Sequence, residues 1–249
     1  MENKSFEKYD KSGAYHWKQI SKSIKHRDSR TVARYRKITE LVKTNLPAGD
    51  NLLCVDLGAG ECALSNLLSR ELTKGKIRFM AIEMEKDAVE IAKKLVPHID
   101  IRQGDVTNTG IQENSADILV SSEVIEHVND PSLMVSEAKR ILKPGGILVL
   151  STPVRISEKP KDPHHIKEFF PEEFETFLKN YFNDVKIHQI NPLARVERYR
   201  SKCQFGPVRI SSYKYFYNFM DIYFGSNYFL KEAPKHFPLY LTMVAVCKK

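Results

Sequence analysis

The sequence predicts an α/β fold built on a doubly wound, mostly parallel sheet, and three observations support this. From residue 51 onward, short apolar runs alternate with stretches in which leucine and alanine recur at helical spacing. The apolar runs are continuous, which is typical of parallel strands covered by helices on both faces. The chain of 249 residues, 42% of them hydrophobic, can bury one sizeable core.

Five apolar runs predict the parallel strands, at 52–55, 77–82, 98–102, 116–120 and 147–150. Residues 64–72 predict the first helix between them, and Asp87 is a suitable N-cap for the second. Asp130 followed by Pro131 predicts the start of the third. We expect that helix to end at the Lys-Pro-Gly-Gly sequence of 143–146.

Beyond residue 152 the pattern changes. A helix is predicted from Pro171, and apolar runs at 185–190 and 240–247 predict two closing strands. The segment between those strands, 191–239, is predicted to be a cap-like insertion, and it holds nine aromatic residues between positions 213 and 229. The chain is therefore divided into a basic N-terminal helical segment at 1–50, which packs on the core, and the domain proper at 51–249.

Positive charge is concentrated at the two ends of the chain. The formal net charge is +8, yet residues 51–190 carry 17 Lys and Arg against 22 Asp and Glu. Basic flanks predict contact with a phosphorylated metabolite, nucleic acid or a membrane surface, or else a solvated basic face. No apolar run approaches the ~20 residues that span a bilayer, no signal peptide is visible, and the four cysteines lack metal or redox spacing. These features predict a cytoplasmic protein.

A glycine-containing turn follows the first predicted strand. In Asp56-x-Gly58-x-Gly60, the first glycine permits a tight turn and the second lets the backbone approach a ligand. Because Gly58-x-Gly60-x-x-Ala63 also satisfies the dinucleotide-binding fingerprint, the turn alone leaves a nicotinamide-dependent oxidoreductase open.

Acidic residues after successive strands favour a different cofactor. Glu83 is placed to accept hydrogen bonds from a ribose diol, and Asp105 to accept one from an adenine amino group. Asp56 lies where a cationic aminoacyl group would rest. Acids in these positions suit a small cationic nucleoside better than a pyrophosphate, which attracts basic groups and backbone N–H groups.

Five motifs in this order resemble the class I S-adenosylmethionine-dependent methyltransferases, over about residues 50–190. They are Asp56-x-Gly58-x-Gly60, Glu83, Gly104-Asp105, the Ser-Ser-Glu-Val-Ile-Glu-His-Val segment at 121–128, and Lys-Pro-Gly-Gly at 143–146. The resemblance implies a Rossmann-like sheet of seven strands with an antiparallel last strand, and S-adenosyl-L-methionine as cofactor. One departure is Cys62, where many members have a third glycine. The residues expected to bind the cofactor are Asp56, Gly58, Ala59, Gly60, Glu83, Met84, Asp105, Val106 and Ser121.

Candidates for the chemistry follow the fourth and fifth strands. Glu123, Glu126 and His127 lie at i, i+3 and i+4, and His165 follows in a Pro-flanked loop. A hydroxyl acceptor must lose its proton to a general base or with the help of a metal, and this mixture of carboxylates and imidazoles suits Mg²⁺ or Mn²⁺. We expect Glu123, His127 and His165 to be catalytic, and the resemblance of this pattern to the small-RNA 3′-terminal 2′-O-methyltransferases implies that these three with Glu126 bind the metal. The plainer alternative is that they cap helices, orient the cofactor or organise a loop.

Two families share this pattern. The Glu-x-x-Glu-His sequence with a distant histidine resembles the small-RNA 3′-terminal 2′-O-methyltransferases, in which the matching residues bind a metal that engages the terminal ribose diol. The segment 121–128 equally resembles the ubiquinone-pathway O-methyltransferases, whose acceptor is a catechol. Both acceptors present adjacent oxygens, which a metal can chelate.

The predicted function is O-methylation of a small molecule or glycan with vicinal hydroxyls, which could be phosphorylated or lipid-linked. One alternative is an RNA 2′-O-methyltransferase, which the basic flanks support and the lack of a recognisable RNA-binding module weakens. The others are a nicotinamide-dependent oxidoreductase and a catalytically silent partner subunit. The aromatic insertion can cover a flat acceptor, stack on bases, make peripheral contact with a membrane or form its own small core.

Overall fold

A computed structural model describes residues 14–72, 77–158, 160, 162–205, 208–210, 212–232 and 239–249. Its helices are α1 (Tyr15–Ile20), α2 (Ser29–Thr44), α3 (Ala63–Glu71), α4 (Lys86–Leu95), α5 (Pro131–Ile141), α6 (Pro171–Lys179), α7 (Leu193–Arg200) and α8 (Ser212–Phe224). Its strands are β1 (Leu52–Leu57), β2 (Ile77–Glu83), β3 (Asp100–Gln103), β4 (Ala116–Ser122), β5 (Leu142–Pro153), β6 (Asp184–Pro192), β7 (Cys203–Phe205), β8 (Val208–Ile210) and β9 (Tyr240–Lys248).

Seven of these strands form one sheet in the order β3-β2-β1-β4-β5-β9-β6. β9 runs antiparallel to β5 and β6 on either side of it, and the remaining neighbours pair in parallel. The predicted α/β fold with a seven-stranded, mostly parallel sheet is thus confirmed. The strand order reverses between β1 and β4, and ligands of such folds bind beyond the carboxyl ends of the strands at this point.

The two faces of the sheet pack against different helices. On one face, Val55 and Leu119 join a core that includes Met134 of α5. On the other face, Cys54 joins a core that includes Ile38 of α2 and residues of α3. Every residue of β1 is buried because both of its faces are covered, which explains the continuous apolar run in the sequence.

Two predicted boundaries differ from the structure. Asp87 is not the N-cap of α4, because the helix begins at Lys86 with Glu85 as its cap. The segment 143–146 lies within β5 and not at the end of a helix, since α5 stops at Ile141. The pairing of β5 with β4 is shifted across this segment, so the Pro-Gly-Gly residues form a bulge. The predicted cap of α5 is confirmed, with the Asp130 side chain accepting a hydrogen bond from Ser132 N.

The chain flanks pack around one side of the sheet. α2 contacts β5, β6, β9 and α3, and α8 packs on α7. Residues 1–13 of the N-terminal segment, and residues 206–207, 211 and 233–238 of the insertion, lie outside the described residues. The division into 1–50, 51–249 and the cap-like 191–239 stays a prediction. No described helix is long and apolar enough to cross a membrane.

The turn after β1 brings the backbone very close to Val124, which lies in the loop after β4. Gly58 has φ +73°, and a Cβ at this position would lie 2.5 Å from Cγ2 of Val124. Gly58 N and Ala59 N both donate to Ile82 O, at 2.8 and 3.1 Å, which fixes the turn against β2. Cys62 adopts φ +58°, which explains why a glycine is common there in similar sequences. A side chain at position 58 therefore has no room.

Gly58→Ala should lower the free energy of unfolding by about 2–5 kcal/mol. A left-handed alanine costs about 1–2 kcal/mol, and overpacking against Val124 adds about 1–3 kcal/mol. Gly110→Ala is the matched control, because Gly110 has φ +67° and a methyl group there would meet no described atom within 4 Å. Urea unfolding of both variants isolates the steric contribution. Equal losses in the two variants would mean that Val124 moves aside at no cost.

Candidate functional site

A cavity of about 1530 Å³ opens at the carboxyl ends of β1, β2 and β4. Typical small-molecule pockets measure roughly 300–1,000 Å³, so this one has room for two molecules side by side. The predicted cofactor-binding residues that line it are Asp56, Gly58, Ala59, Gly60, Glu83, Met84, Asp105 and Val106. Ser121 is instead buried within the sheet, where its hydroxyl donates to Leu57 O at 2.9 Å, and its neighbour Ser122 lines the cavity.

The Glu83 carboxylate is held in a fixed position at the end of β2. Its Oε2 accepts a hydrogen bond from Gly60 N at 2.6 Å, and its Oε1 accepts one from Glu85 N at 2.9 Å. The residue is buried, yet it lines the cavity. A carboxylate has about four acceptor positions, so two backbone donors leave Glu83 able to accept further bonds from ligand hydroxyls.

Asp56 is buried at the end of β1. Burial raises the pKa of its carboxyl group to about 7, against the lowering effect of a hydrogen bond from Ser65 Oγ and with a smaller raising effect from the Glu83 charge. The Ser65 hydroxyl lies 2.5 Å from Asp56 Oδ2. A cation placed beside Asp56 would favour its ionised form.

Asp105 lies at the exposed rim of the cavity beyond β3. Its Oδ1 accepts from both Thr107 N and Thr107 Oγ1 at 2.8 Å, a short loop structure that holds the carboxylate in place. Val106 beside it is buried and apolar, and it also lines the cavity. Together they offer a flat apolar surface next to a hydrogen-bond acceptor.

Helix α1 is attached to the glycine turn by Glu61, a fully buried residue that the sequence analysis did not identify. Tyr15 N donates to Glu61 Oε1 at 2.6 Å, His16 Nδ1 contacts the other carboxylate oxygen, and Trp17 Nε1 donates to Glu61 O at 2.8 Å. Tyr15 and His16 also line the cavity, so α1 covers its cofactor end. Glu61 has partners more than 40 residues away, and no local pattern could have revealed them.

Glu126, His127 and His165 come together elsewhere along the same cavity. Each offers a ligand atom, and these atoms all lie within 4.8 Å of one another. Glu126 and His127 belong to a short 3₁₀ turn after β4. The loop that carries His165 folds onto this turn, because Ile166 N donates to Glu126 O at 2.7 Å. The two imidazole rings meet edge to face with centroids 4.9 Å apart.

Hydrogen-bond partners select the same tautomer for both histidines. His127 Nδ1 lies 2.9 Å from His164 O and must be the donor, because a carbonyl oxygen only accepts. His165 Nδ1 lies 2.6 Å from Oε1 of the buried Glu168 and donates its hydrogen to that carboxylate oxygen. When neutral, both rings therefore carry the lone pair on Nε2, the atom able to bind a metal or take a proton.

Glu126 is fully buried and incompletely satisfied. Its Oε2 accepts from Thr152 Oγ1 at 3.1 Å, whereas Oε1 has no hydrogen-bond partner among the residues that the structure describes. Burial, and secondly the charge of Glu123, raise the pKa of Glu126 well above its usual value. A buried carboxyl group with an unmatched oxygen beside two imidazoles is suited to a cation.

Glu123 is separated from this cluster by an arginine. Its Oε2 lies 3.5 Å from Arg34 Nη1, and Arg34 Nε donates to Ser122 Oγ at 2.9 Å. Glu123 also has φ +58°, a conformation uncommon outside glycine that often occurs at functional sites. Its predicted roles as ligand and catalytic residue stay predictions. Arg34, which the sequence analysis treated only as part of a basic segment, is the side chain that connects α2 to the end of β4.

Residues 55–150 match the family model of the methyltransferase domain. The sheet order and the acids at the strand ends agree with this match. Over this segment the chain is similar to the class I S-adenosylmethionine-dependent methyltransferases. Its sheet also departs from the dinucleotide-binding order 3-2-1-4-5-6, because the antiparallel β9 lies between β5 and β6.

Curated relatives match this chain over only part of their own length. A Mycolicibacterium smegmatis protein named a probable S-adenosylmethionine-dependent methyltransferase is 32% identical over 107 residues, which cover 41% of this chain and 42% of that protein. The ubiquinone biosynthesis O-methyltransferase of Xanthomonas axonopodis is 29% identical over 155 residues, which cover 54% of this chain and 62% of that enzyme. The chain thus spans less than two thirds of either relative.

Solved methyltransferases share the fold over most of the chain. An S-adenosylmethionine-dependent methyltransferase from Thermotoga maritima has a TM-score of 0.58 and 20% identity, covering 88% of this chain and 90% of that one. Phosphoethanolamine N-methyltransferase 2 of Haemonchus contortus, solved with phosphomonomethylethanolamine and S-adenosylhomocysteine, has a TM-score of 0.59 and 16% identity, covering 86% of this chain and 52% of that one. At such identities the likeness concerns the fold alone.

Asp56 should make the protein less stable as the pH rises. Its folded pKa of about 7 is raised above the unfolded value, so the folded state keeps a proton that the unfolded state loses. The stabilisation is complete below about pH 4 and disappears as the pH rises towards 7. Relative to Asp56→Asn, which cannot ionise, the wild type should lose about 2–4 kcal/mol of unfolding free energy between about pH 4.5 and 7.5.

Urea unfolding at several pH values measures this difference, with Asp87→Asn as the control because Asp87 is an exposed acid on α4. Parallel pH curves for the wild type and Asp56→Asn would contradict the raised pKa.

Proposed function

We propose that this protein transfers a methyl group from S-adenosylmethionine to a hydroxyl group. The observation that carries the proposal is the set of acids around one glycine turn of a methyltransferase domain: Asp56, Glu83 and Asp105 line the same cavity after three successive strands. Glu83 accepts from the ribose hydroxyls, Asp105 from the adenine amino group, and Asp56 faces the ammonium group. The cofactor supplies an electrophilic methyl group on a sulfonium.

The acceptor is a small molecule or glycan with vicinal hydroxyls. Support comes from the cluster of Glu126, His127 and His165, which lines the same cavity and offers several groups to a pair of adjacent oxygens. The apolar lining also suits a carbon skeleton, and Arg30 and Arg200 suit a phosphate on the acceptor or on a lipid carrier. The similarity to a ubiquinone biosynthesis O-methyltransferase agrees with transfer to oxygen.

The same cluster fits Mg²⁺ or Mn²⁺. The unmatched Glu126 Oε1 and the two Nε2 lone pairs form a mixed oxygen and nitrogen set of the kind these ions accept. Glu126, His127 and His165 would hold the ion, and Glu123 would join them if its contact with Arg34 opened. A bound divalent cation would lower the pKa of an acceptor hydroxyl.

The chain's own residues supply positioning and proton transfer. His165 is oriented by Glu168, so without a metal its Nε2 is placed to take the proton of the acceptor hydroxyl. With a metal bound, that lone pair would hold the ion, which would itself favour loss of the proton. Tyr15 and His16 exclude water from the cofactor end of the cavity. Since the reaction is an in-line displacement, holding the two molecules in one cavity supplies much of the acceleration.

Glu83→Ala should weaken S-adenosylhomocysteine binding by about 10–100-fold, the loss expected when charge-assisted hydrogen bonds to a ligand are removed. Calorimetric titration measures the affinity directly. Glu90→Ala is the matched control, since Glu90 is an exposed acid on α4 away from the cavity. Absence of binding to the wild-type protein would refute the proposed function, and unchanged binding to Glu83→Ala would refute the assigned role of Glu83.

Glu126→Gln and His165→Ala should each weaken Mn²⁺ binding at least about tenfold, because each removes one of three ligands. Titration followed by electron paramagnetic resonance detects the free ion and needs no acceptor. His188→Ala is the control, since His188 pairs with Glu232 outside the cavity.

Methyl transfer in the presence of Mn²⁺ can then be compared for small diols and for a short RNA with a free 3′ terminus. Exclusive transfer to the RNA would favour the alternative acceptor, and equal Mn²⁺ affinity in all the proteins would rule the metal site out.

A further inference from the structure

Helix α8 carries a row of exposed aromatic side chains. Tyr213, Tyr215, Phe216, Phe219, Tyr223 and Phe224 are between 39% and 65% exposed, and we call these six residues the aromatic ridge. Phe219 contacts both Tyr223 and Phe224, with ring centroids 4.9 and 5.8 Å apart. Three of the six rings therefore form one continuous apolar surface, and the other three lie on the same helix.

The opposite face of α8 is polar and buried, which reverses the usual amphipathic arrangement. Asp221 is buried and pairs with Arg27 and Arg36, each through contacts of 2.6 Å. Asn218 is also buried and accepts from Ser29 Oγ at 2.7 Å. These bonds to residues near the N-terminus fix the rotation of the helix, so the ridge has to face outward.

The ridge serves neither the core nor the cavity. On this helix, Tyr217 is the ring that enters a small core, where it packs with Tyr199 and Phe229. None of the six ridge side chains is among the residues that line the cavity. One interpretation of the sequence is that the aromatic residues of the insertion form a small core of their own. Tyr217 and Phe229 do so, whereas the six ridge residues are exposed.

Positive charge lies close to the ridge. On α7, Arg198 lies over the ring of Tyr213, with Cζ 5.7 Å from the centroid. At the buried face of α8, Asn218 Nδ2 donates to Ile24 O at 2.8 Å, which brings the segment with the exposed Lys22 and Lys25 next to the helix. The acid of α8 itself, Asp221, is buried and neutralised by its two arginines. The surroundings of the ridge are thus complementary to an anionic surface.

We propose that α8 docks on the surface of an anionic membrane, with the aromatic ridge among the lipid headgroups and the flanking cations in contact with them. Aromatic rings with a polar edge are stable at that depth, and basic side chains are attracted to anionic lipid. Single-stranded nucleic acid also combines rings with cations, but it is bound along a groove, whereas these rings project from the outer face of one helix.

Docking would also bring the cavity near the membrane. Val196 and Arg200 line the cavity, and both belong to α7, whose Arg198 flanks the ridge. An acceptor held in a bilayer or linked to a lipid would then reach the site without leaving the surface. The proposal concerns the surface of α8 and does not depend on the reaction assigned to the cavity.

Flotation with vesicles tests the proposal. The wild-type protein should float with vesicles of phosphatidylcholine mixed with phosphatidylglycerol, and much less with phosphatidylcholine alone. Replacing the two most exposed rings, as Tyr223→Ser with Phe224→Ser, should weaken binding to the anionic vesicles about tenfold. Lys22→Glu with Lys25→Glu should weaken it further at low salt. Leu95→Ser is the control, since Leu95 is 44% exposed on α4.

Circular dichroism and S-adenosylhomocysteine binding establish that the variants are folded. Flotation of the Tyr223→Ser, Phe224→Ser protein equal to that of the wild type would overturn the proposal, and so would equal binding of the wild type to neutral and anionic vesicles. A dimer by light scattering that this double variant dissociates would instead identify the ridge as a self-association surface. Binding of short single-stranded RNA that the same variant abolishes would identify it as a nucleic-acid surface.

Discussion

Asp56, Glu83 and Glu126 are buried carboxyl groups that line one cavity, and much of the site is formed by the groups that hold them in place. Glu83 accepts from two backbone N–H groups, Asp56 from the Ser65 hydroxyl, and Glu126 from the Thr152 hydroxyl. Burying a carboxylate is unfavourable unless it is hydrogen-bonded or paired with a cation. The three come together because β1, β2 and β4 are parallel neighbours that end at the same edge of the sheet, so the topology itself concentrates acid at the site.

The three carboxyl groups differ in the hydrogen-bond donors that the protein offers them. This difference agrees with the different ligands proposed for the two parts of the cavity. Glu83 is held by rigid backbone donors, which suits a residue that must present fixed acceptors to a ligand. Asp56 and Glu126 each have one hydroxyl donor and a raised pKa caused first by burial. Both would be stabilised in their ionised forms by a cation, and the proposed ligands place an ammonium group at the first and a metal at the second.

The sequence predicts what is local and misses what is joined across the chain. Asp56 and Glu83 can be found because each directly follows an apolar run, and Asp105 because it lies shortly after the third run. The apolar run of β4 ends before Ser121, which the sequence therefore indicates as the cavity residue. The strand itself extends to Ser122, and since neighbouring residues of a strand point to opposite faces, Ser122 and not Ser121 lines the cavity. Glu61 and Arg34 have partners that only the fold brings together. The outward direction of the aromatic ridge depends on Asp221 meeting Arg27, 194 residues away.

If the cofactor binds as proposed, Asp56 and α1 would link its binding to pH and to water exclusion. Without a ligand, Asp56 keeps its proton up to about pH 7. The cofactor's ammonium group would have to displace that proton, so the affinity should rise with pH until Asp56 is ionised. Helix α1, held by Glu61 over the same end of the cavity, would keep water away from the proposed ion pair and so strengthen it. The buried acid destabilises the empty domain, and for that reason cofactor binding should stabilise the fold more than it would at a solvated site.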